Sequence, residues 1–108
     1  LDDLVAAPAQ VPDEVINLIA QALAETDALL QTNPDDPYFL ELEGQILLES
    51  GRPDEAIPAL RKAVTISRSQ PLISATLGHA LIATEDRTRY DEAEQVLRAA
   101  VGRDRWGD

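Results

Sequence analysis

The chain contains no cysteine and no methionine, a single histidine, and only four aromatic residues among its 108 positions. Without cysteine it has no disulfide framework and no thiolate chemistry. His79 alone supplies no paired-histidine zinc motif, no cysteine–histidine ligand set and no convincing serine–histidine pair. We therefore predict no catalytic residue, no metal ligand and no cofactor, and we expect that this chain is not itself an enzyme.

Basic residues are also scarce, because nine lysines and arginines stand against 20 acidic residues and the net charge is −11. Nucleic acid and anionic membrane surfaces both attract clustered Lys and Arg, so neither is an expected partner. No apolar run approaches the roughly 20 residues of a membrane span, and we expect no signal peptide within these residues. The acidic surface has two interpretations: it serves solubility alone, or it forms a groove for basic or neutral segments.

The residues that are abundant favour helices. Leu and Ala dominate the 44% of hydrophobic residues, and they recur with a mostly 3.6-residue period between proline- and glycine-containing turns. About five helices and no strand pattern predict an all-α domain at residues 13–102. Residues 1–12 are predicted as a leader or linker, and residues 103–108 as a tail after a helix that ends at Gly102. Because the chain begins at Leu1, we expect it to be a piece of a longer protein.

Two glycines within apolar helical patterns, Gly44 and Gly78, are 34 residues apart. Glycine inside a helix costs about 1 kcal/mol relative to alanine, so we expect both to be needed for close helix packing. Equivalent alanines and leucines in the following helices are 37 residues apart instead, at Ala56 and Ala93 and at Leu60 and Leu97. The difference predicts a three-residue insertion in the polar turn at residues 84–89.

This pattern resembles the tetratricopeptide repeat, whose period is 34 residues. The matching positions are Leu40, Gly44, Leu47, Ala56, Leu60 and Ala63 in the first copy, and Ser74, Gly78, Leu81, Ala93, Leu97 and Ala100 in the second. Ser74 departs from the large residue usual at its position. The resemblance implies an antiparallel helix–turn–helix solenoid. Its units are a preceding helix at residues 13–32, a first repeat at 37–68 and a second at 71–102.

The same resemblance implies that the first helix of each repeat lines a concave groove for a protein or peptide segment. The implied groove residues are Tyr38, Glu41, Leu42, Gln45, Leu48, Leu72, Ala75, Thr76, His79 and Ile82. Some domains of this family hold a peptide carboxylate with Lys and Asn, but Glu41, Gln45, Ala75 and His79 stand at those places here. A carboxylate clamp is therefore not expected. The alternative to a binding groove is that these residues form a surface that binds no partner.

A more specific resemblance is to the C-terminal repeat region of bacterial zinc metallopeptidases of the BepA-like class. It spans residues 22–101 and is carried by the runs at 33–39, 41–47, 49–52, 55–58, 60–64, 78–84 and 91–94. The resemblance implies a periplasmic location, with a cytoplasmic one left open, and a catalytic motif upstream of this chain. It implies contacts with the parent peptidase domain or with outer-membrane assembly proteins, and no zinc in the chain itself.

Two other interpretations remain open. In the first, the chain is a free-standing repeat adaptor with no linked enzyme. In the second, it is a structural domain whose groove packs against another domain of its own protein or against a second copy of itself. Trp106 is expected either to anchor the tail on the last helix or to be exposed.

Overall fold

The computed structural model describes residues 11–106, with side chains as far as residue 102. Its helices are α1 (Asp13–Thr32), α2 (Pro37–Glu49), α3 (Pro53–Ile66), α4 (Pro71–Ala83) and α5 (Tyr90–Trp106), with a 3₁₀ helix (Arg87–Arg89) before α5. No strand occurs between residues 11 and 106, and the predicted all-α fold is confirmed. The expectations for residues 1–10 and for the Trp106 side chain fall outside what is described.

Proline and side-chain caps set the helix starts. Proline occupies an opening position of α2, α3 and α4, where its missing N–H would have no helical partner. The Asp36 carboxylate accepts hydrogen bonds from the backbone N–H groups of Tyr38 and Phe39 and caps α2. The Gln70 side chain accepts one from the N–H of Ile73 and caps α4 in the same way.

Glycine ends one helix but not another. Gly51 has a φ of +79° after α2, and the N–H groups of Gly51 and Arg52 bond to the carbonyls of Leu48 and Leu47. These paired bonds close the helix in the left-handed manner that glycine favours. Gly102 was expected to end the last helix, and this prediction is wrong because α5 continues to Trp106. Gly102 is helical and not left-handed, so residues 103–106 are part of α5.

Neighbouring helices pack in chain order. Contacts join α2 to α3 and α4 to α5 within the two repeats, while α3 packs on α4 and α1 on α2. The first helices of the two repeats, α2 and α4, also touch. The turn before α5 has six residues, 84–89, against three before α3, 50–52. The predicted insertion is therefore confirmed, and its extra residues form the 3₁₀ helix.

The repeat positions form the core. All twelve are buried except Leu97, which is half-buried. A Cβ built on Gly44 would lie 2.5 Å from Cγ of Leu60, and one built on Gly78 would lie 2.6 Å from Cγ of Leu97. Each glycine thus lets the paired helix approach until its leucine rests against the glycine backbone. These contacts join the two helices within each repeat, while α2 and α4 touch each other separately, where the groove was expected.

Candidate functional site

The predicted groove residues lie on α2 and α4, and one hydrogen bond joins the two helices there. Thr76 Oγ1 donates to Glu41 Oε2 at 2.9 Å, although the residues are 35 positions apart. Both residues are half-buried, so the bond is partly shielded from water. The tertiary structure therefore brings these two predicted groove residues into direct contact, and the same hydroxyl also lies 3.0 Å from the backbone carbonyl oxygen of Leu72.

None of the ten predicted groove residues lies in the core. Glu41, Leu48, Ala75 and Thr76 are half-buried, while the other six are exposed. The large apolar side chains among the six are open to solvent: Tyr38 at 64%, Leu42 at 43%, Leu72 at 72% and Ile82 at 46%. Exposed apolar groups on neighbouring helices are typical of interaction surfaces. Their role in binding remains a prediction.

The charges on the two groove helices are almost all negative. Helix α2 carries Glu41, Glu43 and Glu49 and has no Lys or Arg. Helix α4 carries no acidic residue and no Lys or Arg, and His79 is its single ionisable side chain. Of these carboxylates only Glu41 belongs to the predicted groove, so the groove face is apolar with one carboxylate and no Lys or Arg, which disfavours a ligand with exposed carboxylates.

Glu43 does not face the groove but pairs with α1. Burial, followed by the hydrogen bond and the repulsion from the Asp27 side chain, raises the pKa of Glu43 from 4.5 to about 7. Two acidic side chains thus meet where α1 packs on α2. The sequence patterns above did not single out either residue, because the contact depends on how α1 lies against α2.

Two further apolar surfaces were missed at the ends of the helix array. One is an open depression of about 710 Å³ between α1 and the end of α2, lined by Val15, Ile16 and Leu23 among others. The second, of about 770 Å³, lies along α5 and the end of α4. The repeat equivalence could have revealed this second surface, since Val64 packs against the core and its counterpart 37 positions later, Val101, is exposed.

Within residues 11–106, no three His, Cys, Asp or Glu side chains are grouped so that they could hold a metal ion. None of the helices described for this chain is long and apolar enough to cross a membrane.

Stacked helix pairs with a shared core and an open face define a helical-repeat scaffold of the kind that binds other proteins. Two family models, both described as tetratricopeptide repeat, match residues 17–71 and 47–106. The chain therefore belongs to the tetratricopeptide repeat family, and it is a protein–protein interaction module of a generally non-catalytic type. No curated protein and no solved structure matches it, so no relative supports the metallopeptidase resemblance.

Proposed function

We propose that the face formed by α2 and α4 binds an apolar segment of a partner protein that is neutral or basic. The observation that carries this proposal is the exposure of Tyr38, Leu42 and Leu72 on two helices without Lys or Arg. Ile82, near the end of α4, lines the depression along α5. Covering one such side chain contributes about 1.5–3 kcal/mol, before the cost of ordering the ligand.

Glu41 determines which ligand charge is favoured at its place in the groove. One of its carboxylate oxygens accepts from Thr76, which restricts the side chain before a ligand arrives. A Lys or Arg of the ligand next to Glu41 would gain a charge-assisted hydrogen bond at little further cost in side-chain entropy. A ligand carboxylate at the same place would be repelled. The tip of Tyr38 offers a further polar contact beside its apolar ring.

The experiment is a selection from a random peptide library on the immobilised chain, followed by affinity measurements on the enriched peptides. We expect apolar peptides enriched in Lys or Arg and depleted of Asp and Glu, with binding that weakens as salt is added. Tyr38→Ala, Gln45→Ala and Leu72→Ala should each weaken binding severalfold. Leu18→Ala is the matched control, because Leu18 is also exposed but lies on α1.

Two results would contradict the proposal. Enrichment of acidic peptides would exclude the charge preference. Peptides that bind all three groove variants as tightly as the unchanged chain would place the binding surface elsewhere.

For the longer protein, we propose that this domain is the non-catalytic C-terminal part of a periplasmic bacterial zinc metallopeptidase. The sequence runs between residues 33 and 64 and between 78 and 94 support this proposal. The domain would then engage the parent peptidase domain or outer-membrane assembly proteins. The test is the upstream coding sequence, which should contain a His-Glu-x-x-His motif. If the upstream sequence lacks it, the chain is a free-standing adaptor or a structural domain instead.

A further inference from the structure

The apolar surface along α5, which we call the α5 face, repeats an interface that is covered elsewhere in the fold. Leu97 and Val101 stand 37 positions after Leu60 and Val64. In the first repeat, Leu60 and Val64 pack into a core cluster to which α4 contributes Leu77. No further helix among residues 11–106 covers α5 in this way, and Val101 is 60% exposed. The α5 face is therefore an unfilled copy of an established helix–helix interface.

The charges on the α5 face differ from those of the covered interface. Glu94 stands at the position of Ile57, which is only 2% exposed in the core. Glu94 is exposed and pairs with Arg98 at 2.8 Å along the same helix. Both line the depression together with Ile82, Tyr90, Leu97 and Val101. The face thus combines apolar side chains with one carboxylate and one guanidinium.

This charge balance distinguishes the α5 face from the other apolar surfaces as a place where a second copy of the chain can dock. The chain carries a net charge of −11, so most contacts between two copies would be repulsive. The groove has Glu41 without a basic partner, and the depression beside α1 is lined by Asp27 and Glu49 against Arg52 alone. On the α5 face, Glu94 and Arg98 cancel. Of the three apolar surfaces, it is therefore the one on which two copies meet without net repulsion.

We propose that two copies of this chain associate through their α5 faces, around a twofold axis that sets the two α5 helices antiparallel. Such an interface is reciprocal, so each contact occurs twice. In an antiparallel pair, moving four residues back along one helix corresponds to moving four residues forward along the other. A register that places Glu94 opposite Arg98 of the partner subunit therefore also places Tyr90 opposite Gly102 of the partner subunit. Among the residues whose side chains the structure describes, none has an atom within 4 Å of a Cβ built on Gly102. That gap accommodates the tyrosine ring.

The first test is sedimentation equilibrium of the full chain over a range of concentrations. The mass should rise from 11.8 kDa towards twice that value as concentration increases. Val101→Asp should keep the monomer mass, while its melting temperature stays close to that of the unchanged chain because Val101 is largely exposed. Leu72→Asp is the matched control, since it adds the same charge to an exposed apolar residue on α4, and it should still associate.

The second test uses charge reversal to identify the interface. Glu94→Arg leaves two cations on the face, and Arg98→Glu leaves two carboxylates, so each variant alone should associate about tenfold more weakly or worse. Mixing the two variants restores complementary faces and should restore association, as should the double variant.

Two outcomes would overturn the proposal. One is a mass that stays at 11.8 kDa at every concentration. The other is a mixture of the two single variants that associates no better than each variant alone, since association would then use another surface.

Discussion

Gly51 and Glu85, which are 34 residues apart, adopt the same left-handed backbone conformation, with φ of +79° and +59°. Each follows the first helix of its repeat by two residues, so the repeat imposes one turn geometry on both positions. Glycine adopts this conformation freely, whereas a residue with a Cβ pays roughly 1 kcal/mol or more for it. At this turn, the second repeat therefore carries a local backbone strain that the first does not.

Replacing Glu85 by glycine should stabilise the domain. Glycine removes the left-handed strain from the folded state, and it also stabilises the unfolded state through added backbone entropy. The first effect is larger, so Glu85→Gly should raise the free energy of unfolding by about 0.5–1 kcal/mol. Urea unfolding followed by circular dichroism measures the change. Glu25→Gly is the control, because Glu25 is exposed within α1 and glycine should destabilise a helix there. Equal effects of the two substitutions would contradict the strain argument.

The glycines of α2 and α4 should not tolerate side chains. A Cβ on Gly44 would meet Cγ of Leu60 at 2.5 Å, and Leu60 is fully buried. Gly44→Ala should cost about 1–2 kcal/mol despite its better helix propensity, and Gly44→Leu should lower the melting temperature much further. Gly102→Ala is the matched control, since no described residue has an atom within 4 Å of a Cβ built on Gly102. In dilute protein this control should be neutral or stabilising, and an unchanged melting curve for Gly44→Leu would contradict the packing role.

The hydroxyl of Ser74 should destabilise the folded domain. Ser74 is fully buried, and its Oγ has no hydrogen-bond partner in the described part of the chain. Ser74→Ala should stabilise the domain by about 1 kcal/mol, because it removes an unsatisfied polar group. Thr26→Ala should instead destabilise it, because the Thr26 hydroxyl is buried but donates to the carbonyl of Ala22 at 2.7 Å. A loss of stability in Ser74→Ala would show that the hydroxyl is paired in solution.

Stability should fall as pH rises through neutrality. Burial, followed by the contact with Asp27, raises the pKa of Glu43 from 4.5 to about 7, so between these values the folded chain holds a proton that the unfolded chain has released. The free energy of unfolding therefore decreases with pH over this range. Glu43→Gln removes the titrating group, so its stability should be nearly independent of pH in that window and higher than that of the unchanged chain at about pH 8.

Chemical unfolding at a series of pH values tests this expectation. Glu49→Gln serves as the control for loss of one carboxylate from α2, because Glu49 is exposed, and it should keep the slope of the unchanged chain. The proposal for Glu43 fails if its glutamine variant shows the same slope as well.

Much of the fold was predictable because its signals are local or periodic. The bounds of α2 follow from the Asp36 cap and Gly51, and the 34- and 37-residue spacings located the turn insertion. The end of α5 was not predictable in this way. Gly51 and Gly102 are the same residue type after similar apolar patterns, but Gly51 is left-handed and Gly102 is helical. Sequence alone does not distinguish these two conformations of glycine.

By itself, the sequence determined the five helices described between residues 13 and 106, their pairing into repeats and the residues at the core, because helix periodicity and the glycine and alanine spacing depend on the chain alone. The tertiary structure decided which polar groups meet. The Thr76 bond to Glu41 spans 35 residues, and the raised pKa of Glu43 depends on Asp27 of another helix. It also decided that, among residues 11–106, the apolar face of α5 is left open, since exposure is a property of neighbours in space and not of neighbours in sequence.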